Sequence, residues 1–438
     1  MKILKSWIES ANTSSTAFPI QNLPMGVFKK INASDDFRIG IAIGDDVLDI
    51  KACIQEKLLD DLDQKAQMVL QEASLNAFMK LGKKHWHTFR ECVIQLLESD
   101  NLSLRDSPSL KSKVLIPQAQ VELKLPVEIS NYTDFYASIH HATHVGSHLR
   151  PDNPLTPNYK YMPIGYHGRA STIVVSGTTI AWPKGQVLGS DNKPYLGFSQ
   201  SLDFELELGV IIGEGNPLGT SIPIDEAHEH IFGFVLINDW SARDVQKWEY
   251  QPLGPFNSKN WATTISPWIV THEALQHFQV PMPTRDKSDP PLLDYLSPAH
   301  PMTLNLVVEA YLSSEKMRAN HIQPLLLCKG NFAEMYWTFD QMIAHHTISG
   351  CNLQIGDLLG SGTISGPSQD SLGCLLERAA LKMEPIHLPD GTTRQYLENG
   401  DEIILRAFAQ KEGYPQIGFG ECRGKVVKRI EKNISSIL

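Results

Sequence analysis

The first residues that suggest chemistry are two glutamates two places apart in Asp203-Phe-Glu-Leu-Glu-Leu208. On a strand the side-chain period is two, so Glu205 and Glu207 project from one face while Phe204, Leu206 and Leu208 line the other. Such neighbouring like charges fit either a solvated face or a site that holds a cation. Asp239 closes the apolar run from Ile231 to Asn238. There a buried strand would deliver a carboxylate to a sheet edge, or the same residue would cap a helix over 240–249. Asp134 stands before a helix expected over 135–149 and admits the same two readings. If Asp134, Glu205, Glu207 and Asp239 converge, four negative charges meet, and only a hard divalent cation makes that tolerable. All-oxygen ligands select Ca²⁺, Mg²⁺ or Mn²⁺ over zinc. Arg243 and Lys259 are the cations nearest in sequence.

A second constellation is the tract His140-His-Ala-Thr-His-Val-Gly-Ser-His148. On a helix His140, His144 and His148 share a face, which is a geometry transition metals use. No H-E-x-x-H and no nearby thiol supports it, so these read as solvent-facing histidines with one that has a task. Gly213-Glu-Gly215 follows a strand, but Asn216-Pro217 comes next and no helix starts, so it reads as a turn. The chain contains no G-x-x-x-x-G-K-[ST] and no G-x-S-x-G, which excludes P-loop chemistry and the usual serine-hydrolase elbow.

The elements that must position these residues are mostly strands. Residues 24–50 read as three short strands with a hairpin at Gly44-Asp-Asp46. Residues 54–98 switch to helical spacing. The stretch 102–126 holds Pro108, Pro117 and Pro126, reads as extended, and marks a boundary between a unit at 1–124 and a larger one at 125–438. Beyond it strands are expected over 171–177, 202–212, 231–238, 302–312, 383–385, 402–408 and 424–430, with helices only near 135–149, 240–249, 331–347 and 371–379. The pattern is a β-rich α+β protein and not a doubly wound sheet.

Composition sets outer bounds. The 438 residues carry 39 basic and 49 acidic side chains, a net charge of −10, which argues against nucleic acid and anionic membrane as partners. With 42% hydrophobic and 20% charged residues the chain is globular, not disordered. Six scattered cysteines without a C-x-x-C pair read as reduced thiols. No apolar leader-like stretch occurs in 1–18 and no run approaches a membrane span, so a cytoplasmic protein is expected.

Taken in order, Thr133-Asp-Phe-Tyr-Ala-Ser138, His141-Ala-Thr143, Gly165-Tyr-His-Gly-Arg-Ala170, Asp203-Phe-Glu-Leu-Glu207, Asn238-Asp-Trp-Ser-Ala-Arg-Asp244, Trp248-Glu-Tyr-Gln-Pro-Leu-Gly-Pro255, Thr263-Thr-Ile-Ser-Pro267 and Ser361-Gly-Thr-Ile-Ser-Gly366 resemble the fumarylacetoacetase (fumarylacetoacetate hydrolase) family across nearly the whole chain. The resemblance implies a small N-terminal SH3-like β-barrel, a larger mixed β-roll domain and a homodimer. It implies hydrolysis of a carbon–carbon bond in a dianionic diketo acid, 4-fumarylacetoacetate, giving fumarate and acetoacetate at the end of tyrosine and phenylalanine breakdown. On this resemblance Asp134, Glu205, Glu207 and Asp239 hold Ca²⁺, and Asp239, Lys259 and Thr263 lie at a Mg²⁺ site bound partly through backbone oxygen. His141 is the base, oriented by Glu377. Arg243, Gln246 and Lys259 stabilise an oxyanion, and Tyr136, Arg150, Tyr166, Arg243, Gln246, Tyr250 and Thr363 touch substrate. The alternative within the same scaffold is an acylpyruvase or a related hydratase or decarboxylase. Between Pro255 and Thr263 the chain lacks two glycines usual in vertebrate members, so the loop carrying Lys259 is expected to differ.

Overall fold

The structure, a computed structural model, describes residues 3–32 and 36–428. Its N-terminal part is an antiparallel five-stranded sheet ordered Leu115–Pro117, Asp46–Asp49, Arg38–Ile43, Met25–Lys30, Val121–Lys124. The two edge strands are consecutive in the chain, joined by a short 3₁₀ turn at Gln118–Gln120. That connection curls the sheet towards a barrel around Phe28, Ala42, Val47 and Ile116. Helices Ile50–Gln55, Gln64–Val69, Asn76–Met79 and Lys83–Leu97 are inserted between its strands.

Residues 102–126 are not extended throughout, contrary to what the sequence pattern predicts. Leu102–Arg105 and Pro108–Val114 are helices, and the two strands that follow complete the N-terminal sheet. Pro108 sits in the first helical turn, where its missing N–H costs nothing, and the Ser107 side chain accepts from Leu110 N–H as the cap. The strand expected at 383–385 is displaced to Ile386–His387, just past Pro385. The helix expected from 331 starts at Phe339, behind a capping box of Thr338 and Gln341. The end of the 424–430 strand beyond Lys428 lies outside the described residues.

The larger part packs two sheets face to face. The first runs Gly165–Gly168, Tyr132–Phe135, Leu358–Gly360, Leu206–Ile212, Ile231–Asp239, Thr263–Ile265, Ile173–Val175, with Val270–Thr271 also paired to Ile231–Asp239. The second runs Leu325–Asn331, Leu306–Ser313, Glu402–Lys411, Tyr414–Val427, Thr179–Ala181. Leu206, Leu208, Val210, Phe234 and Leu236 fill the space between the sheets with Leu306, Val308, Ile403, Leu405 and Phe419. The opposite face of the first sheet presents Ile211, Phe232, Val235, Ile237 and Leu358 to Val27, Ile39, Phe78, Phe89 and Val93 of the N-terminal part. One apolar core therefore runs across both parts. All six cysteines are free, and among the described residues no helix is long and apolar enough to cross a membrane.

Candidate active site

Three of the four carboxylates sit near the ends of strands Tyr132–Phe135, Leu206–Ile212 and Ile231–Asp239 of the first sheet, and Glu205 lies just ahead of Leu206. The alternation expected for 203–208 holds: Phe204, Leu206 and Leu208 enter the inter-sheet core, which turns Glu205 and Glu207 the other way. Glu207 pairs in register with Ile237, which places Asp239 two residues on along the same face. Asp134 is a strand residue in register with Gly360 and not a cap; Ser138 caps the helix Ile139–Leu149 by accepting from His141 N–H. Asp239 is not a cap either, since helix Arg243–Glu249 starts behind Ala242 without a side-chain cap.

One oxygen from each of Asp134, Glu205, Glu207 and Asp239 lies within 4.8 Å of the others, and none of the four residues is more than 5% exposed. Lys259 Nζ donates to Asp239 Oδ2 and Glu205 Oε1, both at 2.7 Å. Arg243 Nη1 meets Glu205 Oε1 at 2.7 Å and its Nε meets Asp203 Oδ2 at 2.8 Å. Thr263 and Tyr166 hydroxyls donate to Asp239 at 2.9 and 3.1 Å, and Ser241 donates to Glu205 at 3.0 Å. Burial works against ionised Glu205, but Lys259 and Arg243 outweigh it and its carboxyl lies below the ordinary range. Burial and then Asp239 push Asp134 up; burial and then Asp134 push Glu207 up; burial raises Asp239 despite Lys259. Burial opposes charge on Lys259, yet Asp239 and Glu205 hold its ammonium protonated.

Asp134 Oδ1 and both oxygens of Glu207 are buried without a hydrogen-bond partner. Leaving buried carboxylate oxygens unpaired is costly. The strand beside them carries Gly360, where a Cβ would stand 2.9 Å from Glu207 Oε2 and 3.0 Å from Asp134 Oδ1. Orphaned hard oxygens converging in a dry pocket kept open by a glycine fit a divalent cation, and their number and type fit Ca²⁺, Mg²⁺ or Mn²⁺.

The histidine side of the site is a buried dyad. His141 Nδ1 lies 3.0 Å from Glu377 Oε2, and Glu377 is fully buried. Burial disfavours its charge, but His141, with hydrogen bonds from His141, His144 and Ser365, holds its pKa down to about 2. Tyr136 packs edge-on to His141, with ring centroids 5.4 Å apart. Burial raises the Tyr136 hydroxyl's pKa while the nearby Arg150 charge opposes the rise. Gln246 Oε1 accepts from Arg243 Nη1 at 3.0 Å, which leaves the Gln246 amide free to donate. On this side of the site the buried atoms without a hydrogen-bond partner include Arg243 Nη2, Arg150 Nε and Thr363 Oγ1. Tyr250 directly follows helix Arg243–Glu249, and its hydroxyl accepts from Gln251.

The zinc geometry of His140, His144 and His148 is not formed; among the described residues no metal-capable group contains these three. His144 instead meets Glu377 Oε1 at 2.8 Å. The loop around Lys259 does not need the missing glycines. Asn257, Ser258, Asn260 and Ala262 are absent from the positive-φ residues, and Glu249 accepts from the N–H groups of Phe256, Asn257 and Ser258. Sequence reasoning missed Asp203. Its carboxylate holds Arg243 and accepts from Leu375 and Leu376 N–H, so it caps the helix that bears Glu377. The signal was available, because Asp203 opens the same acidic motif.

A sheet end that gathers four buried carboxylates beside a His–Glu dyad defines an enzyme with a built-in cation site and an acid–base pair. Residues 130–427 match the family model for the fumarylacetoacetate hydrolase C-terminal domain, and residues 21–126 that for the fumarylacetoacetase N-terminal domain. The chain belongs to the fumarylacetoacetate hydrolase family. It is 47% identical to the fumarylacetoacetase of Homo sapiens over 412 residues, 94% of this chain and 96% of that one. It is 45% identical to that of Arabidopsis thaliana over 429 residues, 98% and 99% of the two chains. A solved fumarylacetoacetate hydrolase from psychrophilic Exiguobacterium antarcticum shares the fold, with a TM-score of 0.51 at 18% identity, covering 93% of this chain and all of that one.

Proposed function

We propose that the chain hydrolyses 4-fumarylacetoacetate to fumarate and acetoacetate, the closing step of tyrosine and phenylalanine breakdown, as a cytoplasmic homodimer. The observation that carries this reading is the set of orphaned carboxylate oxygens beside the His141–Glu377 dyad, in a chain alike over nearly its full length to fumarylacetoacetases. Asp134, Glu205, Glu207 and Asp239 would hold Ca²⁺, which when bound supplies positive charge for the 1,3-dicarbonyl oxygens and the enolate they become. A protonated ammonium is no ligand, so at a neighbouring Mg²⁺ site of Asp239, Lys259 and Thr263 the lysine would contribute its backbone oxygen.

His141, with Nδ1 given to Glu377, keeps Nε2 to take a proton from the attacking water, and Glu377 stabilises the imidazolium. The water oxygen bonds to the carbonyl carbon on the fumaryl side. The adjoining carbon–carbon bond then breaks, its electron pair passes to the acetoacetate enolate, and a proton on that carbon completes the products. Arg243 Nη2, the Gln246 amide and Lys259 donate to the oxyanion, each fixed donor being worth a few kcal/mol in the transition state. Arg150, Thr363, Tyr136, Tyr166 and Tyr250 bind the two carboxylates and the chain between them.

The test follows loss of diketone absorbance and appearance of fumarate with purified protein, before and after verified cation removal. Full activity without cation overturns the metal role. Turnover of acylpyruvates in preference to the diketone would favour the alternative chemistry on this scaffold. His141→Gln is expected to lower kcat on the order of 10²–10⁴-fold while cation binding persists.

A further inference from the structure

Glu377 is shared by two histidines, and the proposed function uses only one of them. Helix Ile139–Leu149 packs against helix Leu375–Ala380, and His141 and His144, three residues apart, face the same carboxylate from one side of their helix. The two oxygens of Glu377 have different partners. Oε2 receives His141 Nδ1 at 3.0 Å, Ser365 Oγ at 2.7 Å and Cys374 Sγ at 3.5 Å. Oε1 receives His144 Nδ1 at 2.8 Å, its one donor recorded among the described residues. Exposure grades outwards along the array: the Glu377 side chain is 0% exposed, that of His141 6% and that of His144 18%.

We propose that His144 is a positioning residue for this reaction: by donating its Nδ1–H to Glu377 Oε1 it fixes the plane of the carboxylate, and through it the tautomer and ring orientation of His141. The inference rests on the hydrolytic reading above. The last torsion of a glutamate is soft and roughly two-fold. Donors on a single oxygen do not hold it, whereas a donor on each oxygen does. A buried carboxylate is an acceptor only, so both imidazoles must present N–H at Nδ1, and each keeps Nε2 for other work. The low pKa of Glu377 agrees with a carboxylate satisfied on both sides. Partners that orient the histidine ligands of a metal from behind are worth roughly tenfold to hundredfold in activity, and a histidine base held by its carboxylate is oriented in the same way.

The experiment uses the full chain with its cation bound and compares His144→Leu, which removes the donor, with His144→Asn, whose Nδ2–H stands near the lost Nδ1–H. The leucine variant is expected to lower kcat by about tenfold to a hundredfold with KM unchanged, and asparagine is expected to restore most of the loss. In a His141→Ala background the leucine change is expected to have no further effect, because the two residues act as one unit. A readout independent of turnover is the downfield Nδ1–H proton resonance of His141, present in the wild type and the asparagine variant and lost in the leucine variant. Wild-type kcat and an unshifted His141 proton in His144→Leu would overturn the proposal, as would an asparagine variant as impaired as leucine. A wild-type chain that leaves the diketone intact overturns the functional reading alone, and the His141 resonance then decides the positioning role by itself.

Discussion

Glu377 stays ionised where burial alone would neutralise it, and that has a pH consequence. Its folded pKa of about 2 lies below the ordinary value of 4.5. A depressed carboxylate contributes stability that is complete above about pH 4.5 and is lost as the pH falls towards 2. Urea midpoints measured from pH 7 to about pH 3 should therefore fall more steeply for the wild type than for Glu377→Gln, and equal slopes would refute the assignment. Gly360 makes a second prediction. A methyl group there would press on Glu207 and Asp134 from within 3.0 Å, so Gly360→Ala should weaken cation binding measured by calorimetry while the sheet still forms. What was legible at this scale follows separation along the chain. Glu205 and Glu207 declare a common face by period alone. The pairing of His141 with Glu377 follows from no spacing and came only through family resemblance. His144 was grouped by helical period with His140 and His148, whereas its three-residue step from His141 is what puts it on Glu377. Asp203 was passed over because its partners, Arg243 and the Leu375–Leu376 backbone, arrive from distant segments.

At the scale of elements, strand ends deliver the acids and two short helices deliver the bases and donors, so the junctions between elements carry the function. Asp203 is such a junction, tying the start of helix Leu375–Ala380 to the start of helix Arg243–Glu249. Removing it strips a cap, worth about 1 kcal/mol, and leaves Arg243 a buried cation short of one partner, a loss of the kind that costs about 3–5 kcal/mol. Asp203→Ala should thus lose several kcal/mol in denaturant titration and Asp203→Asn less, since asparagine keeps one acceptor. An alanine variant as stable as the wild type would sink this reading. Sequence patterning located most of these elements because alternation and apolar runs are local. It fails at 102–126, where the prolines suggest extended chain although Pro108 occupies the first turn of a helix. It also left Asp134 open to a capping reading, because the strand Tyr132–Phe135 is four residues long and exists by pairing with Leu358–Gly360, far along the chain.

For the whole molecule, the shared core makes the N-terminal part a support for the site. Ile211, Ile237 and Leu358 lie on strands that bear or border the carboxylates and pack against the N-terminal sheet and helices. No local pattern announces that, since each residue looks like any buried strand position. Cation removal should lower the thermal midpoint of one cooperative transition, by the linkage that makes a ligand bound only to the folded state stabilising, and re-addition should restore it. The proposed homodimer is implied by family resemblance, and exposed apolar side chains are candidates for its surface. Leu253 is 94% exposed, Leu196 74% and Phe256 68%. Leu196 lies on the hairpin of Lys184–Leu188 with Pro194–Phe198, and Trp248 of helix Arg243–Glu249 donates to Gln186 of that hairpin. Leu253 and Phe256 follow closely after the same helix, which packs on that hairpin. Large exposed apolar side chains grouped in this way mark interaction surfaces. The double variant Leu253→Asp with Phe256→Asp should therefore sediment as a monomer where the wild type sediments as a dimer. Activity should fall with it if pairing also steadies helix Arg243–Glu249, whose Arg243 and Gln246 hold the oxyanion donors. A wild type that sediments as a monomer at micromolar concentration would remove the dimer, and the exposed residues would then need another partner.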